Sequence, residues 1–329
     1  MTPPTAPRRS EAAGSSTPLR LIFAGSGEFG LPLLRALSQG PHRLVEIYSQ
    51  PDRQAGRGRG FTPTPISKWA EENFPQVPLV RTPNINQAVI LPADLLIVVA
   101  FGQKIATHVV NTPRLGSINL HASRLPRYRG AAPINWAILR GETHTGNSVI
   151  RLADRMDAGA ILAMSTIEIG PTETAGELHD RLAADGAEVV QGVIAALSAG
   201  VAVETPQDES LATLAPKLDR SAARLVFSRP ADQLGRQIRG LHPWPGCRVV
   251  LADAAGGEIA RMRLVRAVAA ADDEGPRWQP GEIMLDGRVH TPSGALELLE
   301  VQPEGGKPMG LSAYRRGNPW PPGARLSSL

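Results

Sequence analysis

The chain has 329 residues, 42% of them hydrophobic, and a formal net charge of +4, a length that exceeds one small core and points to two domains. Its single cysteine, Cys247, excludes an intrachain disulfide and any cysteine-built zinc or iron–sulfur centre, and no metal is expected. The longest apolar runs, such as "LLIVVA" at 95–100, are strand-sized, which excludes a hydrophobic membrane-spanning helix.

Residues 211–329 carry 16 Lys and Arg against 12 Asp and Glu, so the whole positive excess lies in the C-terminal part. That asymmetry points to a polyanionic partner. Residues 1–18 are polar and rich in Pro and Ser, which predicts a disordered tail. No apolar segment of export-signal length follows Arg8 and Arg9, so a cytoplasmic protein is expected.

From residue 19 the pattern alternates. "LRLIFA" (19–24) reads as a strand, "GSGEFG" (25–30) as a tight crossing, and "LPLLRALSQG" as a helix. Glu46, in the second strand "LVEIYS", follows about twenty residues later, so the stretch matches the dinucleotide-binding fingerprint, and an NAD-dependent reading stands open at this point. Three Gly and three Arg from Arg53 to Gly60 cannot form a packed element; they predict a cationic loop suited to a phosphate backbone. "ISKWAEENF" (66–74) predicts a short helix and "ADLLIVVA" (93–100) a strand buried on both faces. "GQKIATHVVN" predicts a helix, "GSINLHA" (116–122) a strand, and "AAPINWAILRG" (131–141) a helix. "NSVIRLA" (147–153) and "ILAMSTIEI" (161–169) predict strands. Thr174 and Glu177 form a capping box before a long helix striped by Leu178, Leu182, Val190, Val193, Ile194 and Leu197. This is an α/β unit with a mostly parallel, Rossmann-like sheet. Beyond residues 201–218, which read as a linker, short strands separated by Gly, Asp and Pro predict a small β-barrel or sandwich with one helix at 228–241.

The densest polar cluster follows the "SINLHA" strand. Alternation puts Asn119 and His121 on one face at the strand's C-terminal end, where open α/β sheets bind ligands. Asp154 and Asp157 lie in a later interstrand loop, and a carboxylate reaching His121 would orient its imidazole. Amide, imidazole and carboxylate together suit acyl transfer to an amine. The first two donate to a tetrahedral oxyanion, each donor worth about 10²–10³ in rate. The carboxylate, directly or through water, takes the amine proton, worth roughly 10²–10⁴. No Ser or Cys nucleophile is required.

The stretch "SINLHASRLPRYRGAAPINWAILRGETHTG", followed by "RMDAGAIL", resembles the 10-formyltetrahydrofolate-dependent formyltransferases. The resemblance covers residues 19–326 and implies Asn119, His121 and Asp157 as catalytic residues. It implies a folate donor held by Ser123, Arg124, Leu125 and Pro126, with Arg124 standing where the family usually has Leu. "PDRQAGRGRGFTPTPI" (51–66) resembles the basic loop of the branch acting on initiator methionyl-tRNA, which implies RNA contacts by Arg53, Arg57 and Arg59. The family carries a similar turn without a dinucleotide, which leaves Glu46 an ordinary strand-end acid; because the "GSGEFG" crossing sits at the C-terminal end of its strand, Phe29 is expected to line the methionyl pocket. "IRGLHPWPGCRVV", "PGEIM" and "ALELLEVQPEGGKPM" resemble that branch's oligonucleotide-binding (OB)-like barrel. The resulting expectation is a catalytic domain at 19–205, a linker at 206–224 and an RNA-binding domain at 225–329, in a monomer without membrane attachment. A sugar-nucleotide formyltransferase and a non-enzymatic RNA-binding protein are the remaining rivals.

Overall fold

The strongly apolar runs at 21–24 and 95–99 lie side by side at the centre of one sheet. In the computed structural model, which describes residues 17–55, 60–271 and 278–329, the N-terminal part contains β1 (Arg20–Gly25), α1 (Leu31–Gln39), β2 (Arg43–Ser49), β3 (Arg53–Ala55), β4 (Gly60–Thr62), α2 (Pro65–Asn73) and β5 (Leu79–Arg81). Then come β6 (Leu95–Val99), α3 (Thr107–Val110), β7 (Ser117–His121), α4 (Pro133–Leu139), β8 (His144–Thr145), β9 (Ser148–Arg151), β10 (Ile161–Met164), β11 (Ile167–Glu168) and α5 (Ala175–Ser198). The sheet order is β10-β9-β7-β6-β1-β2-β5. β7, β6, β1, β2 and β5 run parallel, while β9 and β10 run antiparallel at one side.

Period-two alternation sorts these strands between two cores. Leu21, Phe23, Leu95, Ile97, Val99, Ile118 and Leu120 face one side, where α1, α2 and α5 cover them. Ile22, Ala24, Leu96 and Val98 face the other, where Tyr48, Ile85, Phe101, Ile105 and Val109 pack with them in a smaller core. Asn119 and His121 belong to this second side, where Asn119 is half-buried and His121 is buried like its strand neighbours. The expected capping box is formed: Thr174 Oγ1 accepts from Glu177 N, and Glu177 accepts from Thr174 N. Every residue of the expected α5 stripe is buried, each apolar side chain contributing about 1.5–3 kcal/mol.

The C-terminal part holds α6 (Ala231–Gly240), β12 (Arg248–Ala252), β13 (Glu258–Ala270), β14 (Val289–His290), β15 (Ala295–Pro303), β16 (Met309–Gly310), α7 (Leu311–Gly317) and β17 (Arg325–Ser328). The strands form a six-stranded antiparallel sheet, and α6 packs on it over a second core. Three local expectations need correction. Segment 161–169 is two strands that pair with different partners. The helix expected across 102–111 is reduced to α3. In the "PGEIM" stretch, Glu282 and Ile283 make isolated bridges to Arg325 and Val289, and α7 is a helix beyond the one expected at 228–241.

The two parts meet through specific bonds. Arg266 of β13 pairs with Glu177 at 2.6 Å and donates to Thr172 O at 2.6 Å. Asn135 Nδ2 donates to Gly240 O at 2.8 Å, and Trp136 Nε1 donates to Pro216 O at 2.8 Å. Of the tail expected at 1–18, all but Thr17 and Pro18 lies outside the described residues. Among the described residues, no helix is long and apolar enough to cross a membrane.

Candidate active site

β7 carries Asn119 and His121 to the crest where β1, β2 and β6 also end. His121 is 7% exposed, and its Nε2 lies 2.9 Å from Tyr128 O. A carbonyl can only accept, so Nε2 carries the proton and Nδ1 is left on the side of Asp157. Asn119 is half-buried, and among the described residues no hydrogen bond ties up its side-chain amide. That amide remains available to a ligand.

The loop after β9 supplies the carboxylate. Asp157 Oδ2 stands 3.7 Å from His121 Nδ1, an ion-pair separation, and accepts the Gly130 N–H at 2.8 Å. The other candidate, Asp154, turns away and accepts from Thr107 Oγ1 at 2.7 Å. Only one of the two aspartates therefore joins His121. Asp157 has φ +54°, Tyr128 φ +63° and Ala100 φ +45°. These are the only non-glycine residues with positive φ among those described, and they lie in the loops that follow β9, β7 and β6. Such conformations cost about 1–3 kcal/mol each and persist where surrounding contacts over-determine them.

Two glycines make the approach possible. Gly130 has φ +122°, and a Cβ there would sit 2.7 Å from Ala215 O. At Gly159 a Cβ would sit 1.8 Å from Arg151 O, so only glycine lets the Asp157 turn fold back onto β9. Tyr128 is fixed at its other end: the Arg127 and Arg140 guanidinium groups each lie over its buried ring, and its hydroxyl donates to Glu142. Burial, then Glu142, pushes that hydroxyl up to about 12.

The stretch expected to be a connector is part of this construction. Tyr128 N donates to Thr213 Oγ1 at 2.9 Å, Arg129 N to Thr213 O at 2.9 Å, and Ala215 N to Arg129 O at 2.7 Å. Gln207 Nε2 donates to both Asp157 O and Gly159 O at 2.8 Å. Its Oε1 accepts from the buried Arg129, which also pairs with Glu209. The Arg129 and then the Arg155 guanidinium bring the Glu209 carboxyl down to about 2. Sequence reasoning missed Gln207, Arg129 and Thr213. Their side-chain partners lie 48 to 85 positions away, and a Pro/Asp/Glu/Thr-rich stretch carries no periodic signal.

The remaining expected residues fall into three groups. Ser123 Oγ donates to Arg127 O at 2.7 Å, Leu125 is buried with its N–H on Ser148 Oγ at 3.0 Å, and Pro126 O accepts from Thr213 N at 3.2 Å. Arg124 is exposed. Arg53 opens the β3–β4 ribbon and donates to Gln50 Oε1 at the crest, while Arg57 and Arg59 lie outside the described residues. Phe29 is 7% exposed, packed in the helix-side core, with its ring edge-on to His179 of α5 at 5.3 Å. Glu46 is not a strand-end acid: it lies within β2, 6% exposed, paired in register with Ile22. Its carboxylate is turned into the fold rather than presented to a ribose. Among the described residues, no group of three His, Cys, Asp or Glu could hold a metal ion.

Known proteins share both parts of this architecture. Residues 19–194 match the formyl transferase family and residues 217–319 its C-terminal domain. The methionyl-tRNA formyltransferase of Phenylobacterium zucineum (strain HLK1) is 41% identical over 319 residues, covering 94% of this chain and 100% of that protein. The methionyl-tRNA formyltransferase of Pseudomonas syringae pv. tomato is 40% identical, covering 90% of this chain and 93% of its own. The N-formyltransferase of Helicobacter canadensis, solved with folinic acid and dTDP-3-aminofucose, shares the fold at a TM-score of 0.63 and 14% identity, over 84% of this chain and 97% of that one. With both domains matched and relatives aligned along nearly their full length, the chain belongs to the formyl transferase family.

Proposed function

We propose that this protein transfers the formyl group of 10-formyltetrahydrofolate to the α-amino group of initiator methionyl-tRNA, by direct attack of the amine. The observation that carries the mechanism is the convergence of the Asp157 carboxylate and His121 Nδ1, 3.7 Å apart, on the face that also bears Asn119. The methionyl nitrogen attacks the formyl carbon, forming a C–N bond while the carbonyl electrons move to oxygen. Asn119 Nδ2–H donates to that oxyanion, and His121, as imidazolium, donates from Nδ1, because Nε2 is committed to Tyr128. Asp157 takes the proton the amine loses, directly or through one water. Collapse expels the donor's N10, which recovers a proton from the Asp157 carboxyl. Tetrahydrofolate leaves, and Asp157 is again a carboxylate.

The folate lies against residues 123–126, where the Ser123 hydroxyl is bonded within the loop and the Leu125 side chain is buried. Arg124 is the exposed side chain there. Phe29 walls the methionyl pocket, and Arg53, Arg57 and Arg59 engage the acceptor end. The catalytic domain spans 19–205, the linker 206–224, and residues 225–329 form an OB-like RNA-binding barrel. Support for RNA binding comes from a groove of about 690 Å³ beside the C-terminal sheet, lined by Arg220, Arg248, Arg261, Arg263 and Glu304 and by Trp244, which is 53% exposed. Guanidinium groups beside an exposed aromatic suit phosphates and unstacked bases. The protein acts as a cytoplasmic monomer. The test is formyl transfer from 10-formyltetrahydrofolate to initiator methionyl-tRNA and, in parallel, to a dTDP-amino sugar. Formylated methionyl-tRNA is the expected product; transfer to the sugar alone would overturn the assignment.

A further inference from the structure

We infer that Gln207, held by Arg129, is a positioning residue for Asp157; this rests on the reading of Asp157 as the proton acceptor. Asp157 meets His121 from left-handed backbone at φ +54°, a conformation that persists where surrounding contacts hold it. Gln207 Nε2 does so from both sides of the bend, donating to Asp157 O and Gly159 O at 2.8 Å each. One carboxamide thus places both of its protons on the carbonyls flanking the turn.

The carboxamide is oriented in its turn. Arg129 Nε and Nη2 both donate to Gln207 Oε1, at 3.1 and 2.6 Å, which fixes the nitrogen toward the turn. Arg129 is 6% exposed and is neutralised by Glu209 at 2.8 Å. It also sits between the two backbone groups that touch the chemistry: Tyr128 O accepts from His121 Nε2, and Gly130 N donates to Asp157 Oδ2. The contacts close a circuit from His121 through residues 128–130 to Asp157, and from the Arg129 side chain through Gln207 back to Asp157. Imidazole and carboxylate are positioned by one three-residue segment together with one glutamine 78 positions away from Arg129. Gln207 touches neither reacting atom in this circuit; it acts by keeping Asp157 in place.

The test compares steady-state kinetics of full-length variants. Misplacing a catalytic group by about 1 Å costs roughly 10²-fold, so Gln207→Ala should lower kcat about 30–100-fold. KM for the folate and for methionyl-tRNA should stay within about threefold. Gln207→Glu keeps the length and still accepts from Arg129 but cannot donate to the two carbonyls, so it should fall equally far. Arg129→Lys should lower kcat as well, and should add less than about twofold to the loss in Gln207→Ala, because both act through one path. A kcat within about twofold of the parent in both Gln207 variants would overturn the inference, as would a loss appearing only in KM, or additive losses in the double variant. Asp157→Asn separates this outcome from failure of the underlying reading. If Asp157→Asn retains full turnover, the proton-acceptor assignment falls; if it is inactive while Gln207→Ala is not, the positioning role alone falls.

Discussion

Gly130→Ala tests the site with a single methyl group. The Gly130 N–H binds the Asp157 carboxylate, and two residues earlier the Tyr128 carbonyl binds His121. The added Cβ would lie 2.7 Å from Ala215 O and 3.3 Å from Ala215 C. In close-packed surroundings the contact must open by about 0.5 Å or more. The backbone at φ +122° is also one that L side chains rarely adopt, at a cost of about 1–3 kcal/mol. The 128–132 segment and the Thr213–Ala215 strip are bonded at three backbone positions, so the shift is shared by both. Added to overpacking of about 1–3 kcal/mol, the expected destabilisation is about 2–6 kcal/mol. At a temperature where the variant is still folded, kcat should fall about 10–100-fold with little change in either KM. Gly192→Ala is the control: nothing lies within 4 Å of where a Cβ on that helical glycine would stand, so alanine should be neutral or stabilising by up to about 1 kcal/mol. Denaturant unfolding and formyl-transfer kinetics measure both quantities. A Gly130→Ala protein with parental kcat would refute the claim that this backbone segment positions His121 and Asp157.

Other perturbations separate binding from chemistry. Phe29→Ala should raise KM for methionyl-tRNA more than about tenfold, beside a core penalty of about 3–5 kcal/mol; an unchanged KM would make the residue scaffolding alone. Arg57→Ala should weaken methionyl-tRNA and spare the folate, and the difference should shrink as salt rises; equal effects on both substrates would remove the loop from the RNA contact. The Arg266 guanidinium, ahead of the Thr174 contacts, brings the Glu177 carboxyl down to about 2 from its ordinary 4.5. A carboxyl depressed in the folded state stabilises fully above its unfolded value and loses that contribution as pH falls toward its folded one. The half-exposed pair is worth about 1 kcal/mol at most. Glu177→Gln should therefore be less stable than the parent at about pH 6, and the gap should narrow between about pH 4.5 and 2; a gap constant across that range would contradict the role of the pair.

Much of the frame was legible because buried strands and a capped amphipathic helix carry local signals. "LLIVVA" had to be central, and Thr174 with Glu177 marked the start of α5. The alternation in "SINLHA" separated Asn119 and His121 from Ile118 and Leu120, and the latter two do face the helix-covered core. What local pattern could not supply was distance. Asp154 and Asp157 are indistinguishable as turn residues until Gly130 and His121 approach one of them. Gln207 reads as an ordinary polar residue until Arg129 arrives from 78 positions away. Glu46 matched a fingerprint by spacing, yet the register of β2 buries it beside Ile22. α7 is short, and its seven residues hold too few apolar positions to signal a helix against the strands around them.

The most direct test is a single-turnover formylation of initiator methionyl-tRNA by Asp157→Asn beside the parent, with methionyl-tRNA binding measured on the same preparations. If Asp157 accepts the amine proton, the parent yields formylated product and the variant's chemical step is slower by about 10²-fold or more, with binding unchanged within about threefold. A variant that formylates at the parental rate would contradict that role for Asp157.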